Sequence, residues 1–216
     1  MSLVSDQPHS DSSNHGLEAS HKGLSLAMRV PSRWDWLRMG RTENGRLNLR
    51  YELNRIFRGP PEVPQAVSKV LVICHGNICR SPFAEILLQT IEPGLSVRSA
   101  GLAASGRDPA EPAAIRVASE FGIDLSEHRS TRLTQSEVEW ADLILGMEGQ
   151  HIASVDNRWQ LHAANVLTVG DFLERAPRLI PDPWGQSDAF FAAVFEQIRK
   201  GITALSGLLK QDNSSC

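Results

Sequence analysis

Strand-like and helical patterns alternate along most of this chain. Short apolar or half-apolar segments predict strands at residues 70–74, 95–100, 143–147 and 165–168. Apolar residues at helical spacing predict helices at 81–91, 109–121, 135–140 and 187–209, and Gly122 is placed to end the second of these. Strands that alternate with helices favour a parallel sheet. We therefore expect a three-layer α/β fold with four parallel strands and helices on both faces.

The first 66 residues do not follow this alternation. Residues 1–27 are polar and aperiodic, and we predict that they are disordered. Gly40 and Gly45 argue against a continuous helix from Trp34. The apolar positions of residues 28–58 leave two structures open: a half-buried strand through Leu47, Leu49, Tyr51 and Leu53, or a helical face through Leu49, Leu53, Ile56 and Phe57.

A proline-rich stretch at residues 59–66 predicts a stiff linker. The boundary expected near residue 66 separates an N-terminal extension, residues 1–66, from a catalytic domain at residues 67–211. No run of apolar residues is long enough for a bilayer span, and the N-terminal residues lack the apolar core that a secretory signal requires. Three cysteines, two of them in one loop, do not form a disulfide framework, so we expect a reducing, cytoplasmic location.

Charge divides the chain more sharply than its net value of −3 indicates. Residues 28–58 carry eight arginines against three acidic residues, whereas the part from residue 59 onward has a net charge of −6. With Trp34 and Trp36, the basic segment fits an acidic partner, a membrane surface or a nucleic acid. We favour a simpler interpretation, in which this segment folds against the acidic domain, and expect no nucleic-acid partner.

The chemistry is concentrated in residues 69–82, where a buried strand leads into a loop that begins with Cys74 and ends with Arg80 at a helix start. Backbone N–H groups, the helix dipole and Arg80 would all favour the Cys74 thiolate, and the same hollow fits a phosphate. A nucleophile inside a phosphate-binding loop indicates phosphoryl transfer through a cysteinyl-phosphate. The competing interpretation is a buried structural cysteine.

Other residues of this loop have roles that follow from their chemistry. Gly76 and Asn77 tolerate the positive φ that a tight cradle requires. The Ser81 hydroxyl can donate to the Cys74 sulfur, or can simply cap the following helix. Arg80 should bind two phosphoryl oxygens through its fork of N–H groups, which a lysine does not reproduce.

The segment Cys74–Pro82 resembles the signature of the low-molecular-weight protein tyrosine phosphatases. Residues 99–102, 141–147 and 182–184 resemble further stretches of that family, and the resemblance covers residues 67–209. It implies that Asp182 is the general acid, in a loop stiffened by two prolines; by itself the pattern also fits an ordinary turn aspartate. The short loop at 182–184 is similar to that of bacterial members, and its Trp184 would form a wall of the substrate cleft.

The resemblance also assigns roles to the remaining loop residues. Cys79 would form a reversible disulfide that protects Cys74, with a structural role as the alternative. His75 and Ile78 would face the substrate; an apolar residue at position 78 accompanies phosphotyrosine, whereas relatives acting on phosphoarginine carry threonine. We expect no cofactor and no metal, since Cys74 and Cys79 lack a second ligand pair at zinc spacing.

The leading functional hypothesis is a tyrosine phosphatase that acts on a phosphotyrosine protein, as in bacterial relatives acting on tyrosine kinases of exopolysaccharide export, and releases inorganic phosphate. The alternatives are a phosphoarginine phosphatase, a non-catalytic phosphate-binding module and a thiol-dependent arsenate reductase. The last requires a relay cysteine, and after Cys79 the sequence offers only Cys216.

Overall fold

Four parallel strands form the centre of the computed structural model, which describes residues 41–59, 62–159, 165–174 and 178–213. The strands are β1 (Lys69–Cys74), β2 (Ser96–Gly101), β3 (Leu143–Gly146) and β4 (Val166–Thr168), in the spatial order β2-β1-β3-β4. Val72 of β1 lies opposite Ser99 on one side and Leu145 on the other. The order reverses at β1, so the loop that follows β1 lies at the switch point of the sheet.

The helices are α1 (Glu43–Arg58), α2 (Arg80–Ile91), α3 (Pro112–Glu120), α4 (Gln135–Trp140), α5 (Gly149–Trp159) and α6 (Asp188–Asn213), with a 3-10 turn at Val169–Phe172. This architecture confirms the predicted α/β fold with a four-stranded parallel sheet. Helix α5 was not predicted, and α6 continues four residues beyond the predicted end at residue 209. Among the described helices, none combines the length and the apolar character that a bilayer span requires.

Two hydrophobic cores lie on opposite faces of the sheet. The larger core packs α2, α3 and α6 on one face, where the rings of Phe83 and Phe195 stack with their centroids 4.0 Å apart. The smaller core joins Leu71, Ile73 and Val155 with residues of α4 on the other face. The buried faces of β1 therefore fix the position of the loop that begins at Cys74.

Helix α1 decides between the two structures left open for the N-terminal segment. Its residues form a helix, not a strand, and Thr42 caps the helix by accepting a hydrogen bond from the Gly45 N–H at 3.0 Å. The helical alternative is confirmed, but its predicted apolar face is wrong, because Ile56 and Phe57 are 60% and 84% exposed. The side that packs on α5 is instead polar. The predictions for residues 1–40, including disorder at 1–27, lie outside the described residues.

Candidate active site

The Cys74 side chain lies at the carboxyl end of β1, inside the loop that leads into α2, and it is 3% exposed. Its Sγ accepts a hydrogen bond from the Asn77 N–H at 3.2 Å and lies 3.0 Å from the Ser81 Oγ. Two hydrogen-bonding groups therefore converge on the sulfur from the loop and from the first turn of α2. Both groups lie within hydrogen-bond distance of the buried sulfur.

Asn77 shapes the loop from within. It has a φ of 55°, in the left-handed region that asparagine adopts more readily than most residues. Its buried Nδ2 donates to the Ser81 Oγ at 2.9 Å and to the Ser99 Oγ at 2.7 Å, while its Oδ1 accepts from the Thr131 N–H at 2.7 Å. The positive φ considered for Gly76 is absent, and Asn77 alone provides it among residues 74–81.

The hydrogen bonds of Ser81 orient its hydroxyl. Because Ser81 Oγ accepts from Asn77 Nδ2, its own proton is available for the Cys74 sulfur. Ser81 does not cap α2, whose N-cap is Cys79. The Ser81 hydroxyl therefore hydrogen-bonds to the Cys74 sulfur and does not cap the helix.

Neighbouring segments hold the loop from outside. The His128 Nε2 lies 2.7 Å from the Asn77 carbonyl oxygen, and the Ala103 N–H donates to the His75 carbonyl at 2.9 Å. At the end of β2, a Cβ on Gly101 would lie 2.8 Å from the His75 oxygen and 2.9 Å from the Asn77 nitrogen. Only glycine allows β2 to approach the loop this closely.

Arg80 is buried at the floor of the site and bound on two sides. Its Nη1 donates to Glu148 Oε1 at 2.7 Å and to the Ile180 carbonyl at 2.9 Å, and its Nη2 lies 2.6 Å from Asp182 Oδ2. Burial lowers the pKa of Arg80, but the nearby Cys74, Glu148 and Asp182 outweigh that effect and raise it. The guanidinium is therefore a permanent cation.

The Nε atom of Arg80 differs from the two Nη atoms in its hydrogen bonding. Arg80 Nε is buried and has no hydrogen-bond partner in the protein. A buried donor without a partner is costly, and a bound anion would satisfy it. Nε therefore marks the part of the Arg80 fork that an anionic ligand would bind.

Asp182 and Trp184 form the open side of the site. Asp182 is 46% exposed, and its Oδ1 accepts from the Trp184 N–H at 3.2 Å, so the acid sits in a local turn beside Arg80. Trp184 is 65% exposed, so it is not a core residue. The cavity has a volume of about 260 Å³ and is lined by Cys74, His75, Gly76, Ile78, Cys79, Arg80, Asp182 and Trp184.

Cys79 also lines this cavity, and both loop cysteines are free thiols. Burial, followed by the charge of Cys74, raises the pKa of Cys79, so this thiol stays neutral. Within the described ranges, no three His, Cys, Asp or Glu side chains are grouped so as to hold a metal ion.

Several residues around the site were not predicted. Glu148 follows β3 at the same sheet edge as Cys74, a position that could have been inferred from the rule that parallel strands end together. His151 is 1% exposed, and its Nδ1 accepts from the Glu148 N–H at 3.1 Å. Burial lowers the pKa of His151 well below its usual value, so it is neutral.

Comparison with known proteins gives a consistent result. The family model described as low molecular weight phosphotyrosine protein phosphatase matches residues 69–215. The probable low molecular weight protein-tyrosine-phosphatase EpsP of Ralstonia nicotianae is 41% identical over 138 residues, which are 64% of this chain and 93% of that protein.

Solved structures agree with the sequence comparison. The tyrosine phosphatase Wzb from Escherichia coli K30, in complex with sulphate, is 34% identical with a TM-score of 0.63, covering 66% of this chain and 99% of that one. The YwlE arginine phosphatase from Geobacillus stearothermophilus is 29% identical with a TM-score of 0.64, covering 70% of this chain and 97% of that one.

Proposed function

The chain belongs to the low molecular weight protein-tyrosine-phosphatase family, and we propose that it hydrolyses phosphotyrosine in proteins through a phosphorylated Cys74. The observation that carries this proposal is the Cys74 sulfur, held by Ser81 and the Asn77 N–H in one cavity with Arg80 and Asp182.

In the first step, the Cys74 thiolate attacks the phosphorus and forms an S–P bond as the bond from phosphorus to the tyrosyl oxygen breaks. The electron pair of the broken bond goes to the tyrosyl oxygen, which takes a proton from the acid form of Asp182. Its exposure at the mouth of the cavity allows Asp182 to reach the leaving oxygen.

In the second step, a water molecule attacks the phosphorus, the S–P bond breaks, and Cys74 leaves as the thiolate. The Asp182 carboxylate takes the proton of the attacking water, which restores its acid form and releases inorganic phosphate. The Ser81 hydroxyl and the Asn77 N–H support the departing sulfur.

Arg80 supplies the fixed positive charge for both steps. Its unpartnered Nε, together with Nη2, forms the donor pair for two phosphoryl oxygens, while Nη1 stays anchored to Glu148 and Ile180. Donors that are already oriented stabilise developing charge most effectively.

An aromatic substrate fits the walls better than a guanidino group. Ile78 presents an apolar surface and Trp184 an exposed ring, while neither offers a hydrogen-bond acceptor to a substituted guanidinium. We therefore place phosphotyrosine before phosphoarginine. A bacterial tyrosine kinase of exopolysaccharide export is our proposed protein substrate, by analogy with the family.

Hydrolysis of an aryl phosphate by full-length variants tests the mechanism. Cys74→Ser should abolish turnover, and Asp182→Asn should lower kcat by about 10²–10⁴-fold. Asp188→Asn, which removes an exposed carboxylate paired with Arg116, is the matched control and should keep wild-type rates. Full activity in Cys74→Ser would refute the mechanism, and preferred hydrolysis of phosphoarginine would refute the substrate assignment.

A further inference from the structure

Helix α1 lies outside the region that matches the family, which begins at residue 69, yet it contacts the residues that support the active site. Its buried side carries Asn48 and Glu52, flanked by Tyr51 and Arg55. This set of side chains is polar, so packing of apolar surface alone does not explain the contact. Each of the four makes a hydrogen bond or ion pair with the phosphatase domain.

Asn48 bridges two parts of the loop that follows β3. Its Oδ1 accepts from the Gln150 N–H at 2.8 Å, and its Nδ2 donates to Glu148 Oε2 at 3.0 Å. The other oxygen of Glu148 accepts from Arg80 Nη1 at 2.7 Å. Asn48, Glu148 and Arg80 thus form a continuous chain of hydrogen bonds from α1 to the floor of the site.

A second contact reaches the other side of Arg80. Glu52 accepts a hydrogen bond from the Arg178 N–H, and its Oε2 lies 3.7 Å from Arg178 Nη1. Two residues later, the Ile180 carbonyl accepts from Arg80 Nη1, and Asp182 follows in the same segment. Helix α1 therefore touches both of the segments that hold the guanidinium.

The remaining contacts fasten the helix itself. Tyr51 donates to Asp171, and Arg55 Nε donates to the other oxygen of Asp171 at 2.8 Å. A Cβ on Gly149 would lie 2.4 Å from the Tyr51 Cβ, so the start of α5 and α1 are in close contact. These interactions fix the position of α1 along its axis and its rotation about that axis, and therefore the position of Asn48.

We propose that Asn48 is a positioning residue for catalysis: it holds the Glu148 carboxylate in the orientation in which that carboxylate aligns Arg80 for the phosphoryl group. The inference rests on the proposed function. It makes the N-terminal helix a working part of this phosphatase and not only a covering of its surface. Glu148 Oε2 also accepts from Gln150 Nε2 at 3.0 Å, so losing Asn48 removes one of two restraints.

Three full-length variants separate positioning from simple support. Asn48→Ala removes both hydrogen bonds. Asn48→Asp keeps an acceptor for the Gln150 N–H but places a second anion against Glu148 Oε2. Although it is the more conservative change, it should therefore lower activity more than Asn48→Ala does. Asn54→Ala, at an exposed site on the same helix, is the matched control.

The kinetic constants are kcat and KM for an aryl phosphate and the inhibition constant of orthovanadate, which mimics the five-coordinate transition state. A fraction of unfolded enzyme lowers apparent kcat but leaves the inhibition constant unchanged, so vanadate reports on the folded site. Asn48→Ala should weaken vanadate inhibition and lower kcat/KM by roughly tenfold, the equivalent of one hydrogen bond. Asn54→Ala should match the wild type in both.

A double-mutant cycle identifies the route. In a Glu148→Gln background, Asn48→Ala should change the vanadate inhibition constant by less than about twofold, because the residue through which it acts is already altered. Equal effects in both backgrounds, or an Asn48→Ala variant that behaves like Asn54→Ala, would overturn the inference. Failure of the wild type to turn over aryl phosphate would instead refute the proposed function.

Discussion

Within the loop, Asn77 combines a positive φ with three side-chain hydrogen bonds. Replacing it tests directly whether these features hold the loop in place. Asn77→Ala removes the two hydrogen bonds to the hydroxyls of Ser81 and Ser99 and the one from the Thr131 N–H. It also forces alanine into a backbone with a φ of 55°. Asn77 is fully buried, so water does not replace the lost partners.

The magnitude follows from these contacts. Three hydrogen bonds at about 1 kcal/mol each give about 3 kcal/mol. The left-handed backbone adds about 1 kcal/mol for a residue that, unlike asparagine, does not adopt it readily. Asn77→Ala should therefore lower the free energy of unfolding by about 4 kcal/mol, a large part of the 5–15 kcal/mol typical of a domain. Catalysis should fall about 10²-fold, since the Asn77 N–H no longer points reliably at the sulfur.

Urea unfolding and aryl phosphate kinetics check both values. Asn77→Gly separates the two causes, because glycine loses the same hydrogen bonds but accepts a positive φ; it should be about 1 kcal/mol more stable than Asn77→Ala. Asn157→Ala, on the exposed side of α5, should stay within about 0.5 kcal/mol of the wild type. A loss below about 1 kcal/mol in Asn77→Ala would show that these contacts do not hold the loop.

Three further outcomes are expected. Arg80→Lys keeps the charge but not the fork that joins Glu148, Ile180 and the phosphoryl group, so kcat/KM for an aryl phosphate should fall about 10²–10³-fold. Arg98→Lys, at an exposed position of β2, should not change it. Trp184→Ala should raise KM for an aryl phosphate several-fold with little change in kcat, and should leave KM for an alkyl phosphate unchanged. Burial raises the pKa of Glu85 above its ordinary 4.5. Its contribution to stability is therefore present below about pH 4.5 and is lost as pH rises through the folded-state pKa. Urea unfolding at a series of pH values should show that Glu85→Gln removes this loss, whereas parallel plots of unfolding free energy against pH for wild type and variant would contradict it.

The sequence was sufficient to predict the sheet and the loop because both depend on local patterns. A continuous apolar run predicts β1 whatever surrounds it, and the residues that follow carry their own chemistry. The four strands and the helices α2, α3, α4 and α6 were therefore anticipated within a few residues. The nucleophile, the arginine and the acid of our proposal come from the same local information and from the family resemblance.

The supporting contacts could not be predicted in the same way, because they join residues far apart in the chain. Glu148 and Arg80 are 68 positions apart, and Asn48 and Glu148 are 100 apart. Helix α1 was misjudged for a physical reason: hydrophobic periodicity points to Ile56 and Phe57, but the surface against which α1 packs offers carboxylates and backbone amides. Polar side chains that are buried because they hydrogen-bond to residues distant in the chain leave no trace in the hydrophobic periodicity of the sequence.

Arg80 connects these observations. Removing a guanidinium from water is unfavourable unless the charge is paired. Here the Arg80 guanidinium is paired with Glu148 and Asp182 and donates a hydrogen bond to the Ile180 carbonyl. The partners differ in exposure: Glu148 is 12% exposed and restrained by Asn48, whereas Asp182 is 46% exposed and held in a short turn. We therefore expect an arriving phosphoryl group to displace Asp182 more easily than Glu148. The carboxylate that gives way is the one proposed to transfer the proton, and the one that stays keeps the cation aligned.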